Sequence, residues 1–143
     1  MLFLIAVNHQ SEEKMSLRRN GKNPVSILAF SVESATAAAE KIKFKMPAAG
    51  RIVGITLSSV TAPVGSVCRA DVNKIVNGAQ TTIFTTQANR PTINAAATYS
   101  VVSVPDVKNF VAGDMFTIDM DNVGSTTAAT GVQILIAFAG RSV

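Results

Sequence analysis

The chain has 143 residues, a formal net charge of +4, one cysteine and one histidine. This length is that of a single domain that buries a core of its own. One cysteine excludes an intramolecular disulfide and a cysteine-only metal site. With one histidine, the chain almost lacks the usual proton-transfer residue of hydrolytic enzymes, which disfavours most hydrolase mechanisms. No apolar run approaches the roughly 18 residues of a membrane-spanning helix, so we expect no membrane partner.

The first 24 residues differ in composition from the rest. The chain starts with an apolar heptapeptide, continues with a polar and basic stretch, and reaches Pro24, which extends neither a helix nor a ladder. We therefore divide the chain into an N-terminal arm, residues 1–24, and one domain, residues 25–143. The heptapeptide has no basic flank before it and no small-residue cleavage site after it, so we expect no signal peptide.

The arm is the segment best suited to a partner. Large apolar side chains left in water would forfeit about 1.5–3 kcal/mol each, so we expect either the chain's own sheet or a neighbouring subunit to cover them. The basic cluster in the arm is short and has no interleaved aromatic residues, which favours an acidic protein surface over a nucleic acid. The predicted contact residues are Leu2, Phe3, Leu4, Ile5, Val7, Arg18, Arg19 and Lys22.

From residue 25 onward the pattern is that of strands. Ile42, Phe44 and Met46 alternate with three lysines, which is the period-two pattern of a half-buried strand. Asn77-Gly78 predicts a tight hairpin, because both residues tolerate positive φ. Only Ser34 to Lys41, with its four alanines, is predicted to form a helical turn. The other predicted strands, which bring the total to about eight, are 25–32, 51–60, 67–76, 81–85, 99–104, 115–120 and 132–138.

These elements predict an all-β fold: a single antiparallel β-sandwich, jelly-roll-like, of about eight strands, with an extended N-terminal arm. Regularly spaced strands without long alternating helices favour an antiparallel sandwich or barrel over a parallel sheet. The last strand, 132–138, is apolar on both faces, which indicates a central position or contact with a partner.

One acidic constellation was a candidate for calcium. Asp119 and Asp121 lie two apart on one strand, and Asp114 precedes them. The run D-M-D-N-V-G begins like a calcium loop, but Val123 occupies a ligand position and Thr130 stands where a bidentate glutamate is required. We therefore interpret the three carboxylates as a solvated strand face and predict no metal site.

The remaining reactive residues give no catalytic constellation. Cys68 alternates with Ala70 and Val72 and is interpreted as a small buried hydrophobe, and His9 as an arm residue without a triad partner. The chain has no phosphate-binding loop, no nucleophile elbow and no zinc-binding H-E-x-x-H helix. We predict no enzymatic activity, no catalytic residue, no cofactor and no small-molecule substrate.

Five stretches between residues 44 and 138 have distinctive amino-acid sequences. They are T-A-P-V-G-S (61–66), D-V-N-K (71–74), T-I-F (82–84), N-R-P-T-I (89–93) and A-G-D-M-F-T-I-D-M-D-N-V-G-S (112–125). This region resembles small β-sandwich proteins of tailed-bacteriophage virions. The arm lies outside the resemblance, and T-T-A-A-T-G (126–131) replaces the glycine-rich stretch usual in such modules.

The resemblance implies an oligomeric virion module with a capsid or tail partner. The first hypothesis is a head decoration, or cement, protein: a homotrimer on the outer surface of the capsid that binds the major capsid protein and stabilises the shell through its arm. One domain and one arm without a stalk suit this role. The alternative is a tail- or fibre-associated module that binds a glycan, for which Tyr99 is the one tyrosine in a chain without tryptophan.

Overall fold

The computed structural model describes residues 2–7, 25–34 and 36–140. Within these ranges the regular elements are strands, apart from one short 3-10 turn at Gln87–Asn89. The strands are β1 (Leu2–Val7), β2 (Val25–Ser34), β3 (Ala38–Lys45), β4 (Gly50–Ser58), β5 (Cys68–Val76), β6 (Ala79–Thr82), β7 (Thr92–Ile93), β8 (Asn109–Phe110), β9 (Met115–Val123) and β10 (Thr130–Gly140). The all-β prediction is confirmed.

The strands form two antiparallel sheets that pack together as a β-sandwich. Sheet I has the order β1-β2-β10-β4-β8, and sheet II has the order β3-β9-β5-β6. The two-residue strand β7 pairs with β5 beyond the end of β6. Most neighbours in each sheet are distant in sequence, so the strand order depends on contacts that local patterns do not specify.

Strand β10 lies at the centre of sheet I, between β2 and β4. Ile134 is paired with Phe30 on one side and with Leu57 on the other, and all three side chains are fully buried. Val132, Ile136 and Phe138 point into the core in the same alternation. The central position expected from the apolar character of this strand is therefore observed.

The predicted hairpin joins β5 and β6. Asn77 has φ of 51° and Gly78 has φ of 81°, while Val76 is paired directly with Ala79 across the turn. Positive φ at both central positions gives the turn a twist that matches the flanking strands, and Asn-Gly tolerates it at low cost. The dipeptide therefore sets the register of this hairpin.

A cluster of phenylalanine rings joins the two sheets. The ring centroids of Phe30 in sheet I and Phe44 in sheet II lie 4.6 Å apart, and Phe44 stacks on Phe116 at 5.6 Å. Phe110, on the edge strand β8, meets Phe116 edge-on at 6.4 Å. Phe116 contacts rings from both sheets and is fully buried, so it holds the sheets together at one end of the core.

Two local predictions were wrong. Ser34 is the last residue of β2, and β3 already includes Ala38 to Lys41, so no helical turn forms there. Pairing of Ala38 with Met120 of β9 overrides the helix preference of alanine, which is too weak over a few residues to resist tertiary contact. Residues 99–104 form isolated bridges to β4 at Tyr99 and Ser103 and not a continuous strand.

Replacing Phe116 with alanine is expected to lower the free energy of unfolding by about 3–5 kcal/mol, because it removes a fully buried ring between the two sheets. Val101→Ala is the control, and its highly exposed side chain should change stability by no more than about 0.5 kcal/mol. Urea unfolding followed by circular dichroism measures both. A loss below about 1 kcal/mol for Phe116→Ala would contradict this role.

Candidate functional site

The predicted arm residues fall into two groups. Leu2, Phe3, Leu4, Ile5 and Val7 belong to β1, which forms the edge of sheet I. Strand β1 is antiparallel to β2, with Leu2 paired to Val32 and Val7 to Ile27. This is the alternative in which the start of the arm docks on the chain's own sheet. Arg18, Arg19, Lys22 and His9 lie outside the described residues.

The outer face of sheet I is apolar around β10. Leu135 and Ala137 lie on the side of β10 opposite the core residues Ile134 and Ile136, and each is partly exposed. Their direct partners on β2 are Ala29 and Ile27, which are also partly exposed. An antiparallel sheet with one face on the core normally presents polar side chains on the other face. The face formed by Ile27, Ala29, Leu135 and Ala137, termed the apolar face below, departs from that pattern.

The outer face of sheet II is polar, and its carboxylates are hydrogen-bonded, although the buried Thr117 hydroxyl on this face has no partner among the described residues. The Asp119 carboxylate accepts hydrogen bonds from the Asn73 side-chain amide at 2.9 Å and from the Glu40 backbone N–H at 2.7 Å. The Thr82 hydroxyl donates to the Asp71 carboxylate at 2.6 Å. On β3, Lys43 and Lys45 are exposed beside this network. Polar groups that are paired and solvated in this way suit a face that stays in water.

The three aspartates considered for calcium do not converge. Asp114 binds the Lys74 ammonium at 2.8 Å, Asp121 pairs with the Arg90 guanidinium, and Asp119 takes part in the Asn73 network. The hydrogen bond from Lys74 and that from the Val111 backbone N–H lower the pKa of Asp114. Among the described residues no group of three or more histidine, cysteine, aspartate or glutamate side chains has a metal-binding arrangement.

Asp71 is the carboxylate most affected by burial. Its side chain is buried on the outer face of sheet II, directly opposite Asp119 on β9. Burial raises the pKa of Asp71, against the lowering effect of the hydrogen bond from Thr82, and the charge of nearby Asp121 raises it further. Asp71 therefore carries its charge at a cost in stability.

A row of exposed valines follows the β4 edge of sheet I. Ser103 exchanges two backbone hydrogen bonds with Ile55, both at 2.8 Å, and the Ser100 N–H donates to the Leu57 carbonyl at 2.9 Å. These bonds hold residues 99–104 against β4, with Ser103 buried and the three valine side chains of this stretch exposed. We term Val101, Val102 and Val104 the valine edge. Val101 is 82% exposed, and Pro105 interrupts the row where a regular strand would continue.

An open cleft of about 620 Å³ lies along one side of the sandwich. It runs between residues 88–94, which lead into and out of β7 on sheet II, and residues 97–104 beside β4 on sheet I. Asn89, Arg90 and Asn94 line it with polar groups, while Tyr99, Val101 and Val104 supply apolar surface. Tyr99 is 74% exposed. The cleft and the valine edge therefore share residues.

Cys68 is buried in the core at the start of β5, as predicted from its alternation with Ala70 and Val72. Burial raises the pKa of the Cys68 thiol to about 11. The thiolate is the reactive form of cysteine, so Cys68 stays protonated and inert near neutral pH.

Sequence patterns did not indicate the cleft. Arg90 and Asp121 lie far apart in sequence and meet only because β7 and β9 flank the same strand, β5. Pro105, directly after Val101, Val102 and Val104, is a sequence signal for an irregular, exposed edge. The apolar character of residues 99–104 predicts a regular strand, and this prediction overlooks that signal.

No family model, curated protein or solved structure matches the chain. Within the described ranges, no helix has the length and hydropathy needed to span a membrane. The apolar face, the valine edge and the cleft are therefore the features on which a function has to be based.

Asp71→Asn is expected to become more stable relative to the wild-type chain as the pH rises from about 3 to 7. A carboxyl group with a raised folded-state pKa contributes most stability below its unfolded pKa and loses that contribution as the pH rises through the folded pKa. Asparagine keeps an oxygen for the Thr82 hydroxyl and carries no charge. Thermal unfolding across this range measures the difference, and a difference independent of pH would contradict the account.

Proposed function

We propose that the chain is a structural protein of a tailed-phage virion: a head decoration, or cement, protein that binds the major capsid protein on the outer surface of the capsid as a homotrimer. The observation that carries the proposal is that the outer face of sheet I contains the partly exposed apolar face and is bordered by the valine edge. Exposed apolar patches on a small domain mark interaction sites. The resemblance of residues 44–138 to virion β-sandwich proteins supports the choice of partner.

A jelly-roll topology is part of this proposal. Leaving out β1 and β7, the remaining eight strands, numbered one to eight along the chain, have the order 1-8-3-6 in sheet I and 2-7-4-5 in sheet II. The first strand then pairs with the eighth, the second with the seventh, the third with the sixth and the fourth with the fifth. A long hairpin rolled into two sheets gives this pattern, and viral capsid domains are among the proteins that use it.

Trimer formation is assigned to the apolar face. The apolar face lies on the neighbouring strands β2 and β10 of sheet I. Its side chains can pack closely against a second surface, and they are Leu135, Ile27, Ala29 and Ala137. Small residues let a second backbone approach closely, and each Å² of apolar area removed from water contributes roughly 25 cal/mol. The polar face of sheet II, with its satisfied carboxylates and exposed lysines, then remains in water.

We assign to the arm the role of binding the capsid shell. Residues 8–24, a stretch of 17 residues, connect two strands that are direct neighbours in sheet I. A hairpin of this kind needs only about two to five connecting residues. An extended stretch of this length spans up to roughly 60 Å, which is sufficient for β1 to leave its pairing with β2 and add to a sheet edge on a neighbouring subunit.

Leu135→Asp is expected to convert the oligomer to a monomer without unfolding it, because it places a charge in the middle of the apolar face. Thr81→Asp is the matched control, since Thr81 is exposed on the edge strand β6 of sheet II. Sedimentation equilibrium measures the mass of both variants. A wild-type monomer, or a Leu135→Asp protein of unchanged mass, would show that the apolar face does not mediate assembly.

Deleting residues 1–24 is expected to abolish binding to shells assembled from the major capsid protein while the sandwich still folds. The described core residues all lie between Leu28 and Phe138, so near-ultraviolet circular dichroism should be retained. Co-sedimentation with shells measures binding, and a triple variant with Arg18, Arg19 and Lys22 replaced by alanine separates the basic cluster from β1. Full binding by the deleted protein would refute the role of the arm.

A tail- or fibre-associated module is the second candidate. The cleft beside Tyr99 favours it, because an open side cleft at a sheet edge is a common place for ligand recognition. The head is proposed first because the exposed apolar side chains of the apolar face and the valine edge suit a protein partner. The location of the chain in fractionated particles distinguishes the two candidates.

A further inference from the structure

We propose that the side cleft is a binding site for a neutral sugar, with the ring of Tyr99 as its platform and the amides of Asn89 and Asn94 as its hydrogen-bonding groups. The cleft volume of about 620 Å³ is within the range of roughly 300–1,000 Å³ typical of small-ligand sites. This inference rests on the cleft of the isolated chain, which shares Val101 and Val104 with the valine edge.

The two walls of the cleft differ in chemistry. Tyr99, Val101 and Val104 present apolar surface on the side of sheet I, while Asn89 and Asn94 present exposed amides on the side of sheet II. An amide offers two donors and an acceptor, so it bonds vicinal hydroxyl groups in either sense. A pyranose ring has one apolar C–H face and a rim of hydroxyl groups, and this pair of walls complements it.

The charge in the cleft is already neutralised. The Arg90 guanidinium pairs with the Asp121 carboxylate and also donates through Nε to the Gln87 carbonyl at 3.1 Å. No other charged residue of the described chain lines the cleft. A phosphate or carboxylate ligand would have to compete with Asp121 for Arg90, whereas a neutral sugar leaves that pair intact. The ligand class is therefore an uncharged sugar.

The backbone on both sides of Tyr99 is held in place before any ligand binds. The Thr98 carbonyl accepts a hydrogen bond from the Ser59 N–H at 2.8 Å, and the Ser100 N–H donates to the Leu57 carbonyl at 2.9 Å. The residues flanking Tyr99 on both sides are thus attached to the β4 side of sheet I. A turn closed by the Ala97 N–H and the Asn94 carbonyl at 3.0 Å connects the platform to the polar wall. Such preorganisation reduces the entropy cost of binding.

Saturation-transfer difference NMR on the full chain tests this site, with the methyl glycosides of glucose, galactose, mannose and N-acetylglucosamine as probes. At least one glycoside should bind, with signals on its C–H face. Tyr99→Ala should weaken that binding about tenfold, since the ring contact is lost, while Tyr99→Phe should retain it. Asn94→Ala should also weaken it.

Val60→Ala is the matched control, because Val60 is 81% exposed and lies outside the cleft; its binding should equal that of the wild-type chain. No transfer to any of the four glycosides would overturn the inference. Equal transfer with wild type and Tyr99→Ala would also overturn it, and so would preferential binding of a sialylated or phosphorylated sugar. Shell binding and oligomeric mass are separate measurements, so the failure of this site is distinguishable from the failure of the proposed function.

Discussion

Strand β10 carries apolar side chains on both faces over residues 134–138, and the rest of the molecule is arranged around that constraint. Its inner residues, such as Ile134 and Ile136, are covered by sheet II across a core that includes the phenylalanine cluster. Its outer residues Leu135 and Ala137 remain partly exposed. Covering these outer side chains would remove further apolar area from water, which is the basis of the proposed protein partner.

The two outer faces of the sandwich differ in polarity. Sheet II presents two hydrogen-bonded pairs, Asn73 with Asp119 and Thr82 with Asp71, so these carboxylates gain little from a further partner. The apolar face of sheet I has no such network around β10. The valine edge adds exposed apolar side chains along the border of the same sheet. The distribution of polar and apolar groups thus gives the domain one polar outer face and one outer face with exposed apolar side chains.

The sequence predicted those parts of the fold that depend on local pattern. Alternation of Ile42 and Phe44 with lysines identified β3, and Asn77-Gly78 identified the hairpin, because side-chain period and turn φ are properties of neighbouring residues. The helical turn predicted for residues 34–41 was wrong because pairing of Ala38 with Met120, distant in sequence, determines the backbone there. The order of strands in each sheet could not be predicted from local patterns, because it also depends on pairing between residues distant in sequence.

The candidate surfaces were predictable only in part. The two-sided apolar character of residues 132–138 indicated either a central position, which is observed, or a partner, and the buried state of Cys68 followed from alternation. The cleft combines Asn89 and Asn94 with Tyr99 across the gap between two sheets, and no spacing rule brings them together. Similarly, neutralisation of Arg90 by Asp121 depends on how β7 and β9 flank β5.

Mass spectrometry of purified virions separated into heads and tails tests the central claim most directly, with copy number measured against the major capsid protein. The account predicts many copies per particle, at a constant ratio to the major capsid protein and confined to the head fraction. A few copies confined to the tail fraction would contradict the decoration role and support the tail- or fibre-associated module. Absence from both fractions would contradict a structural role in the virion.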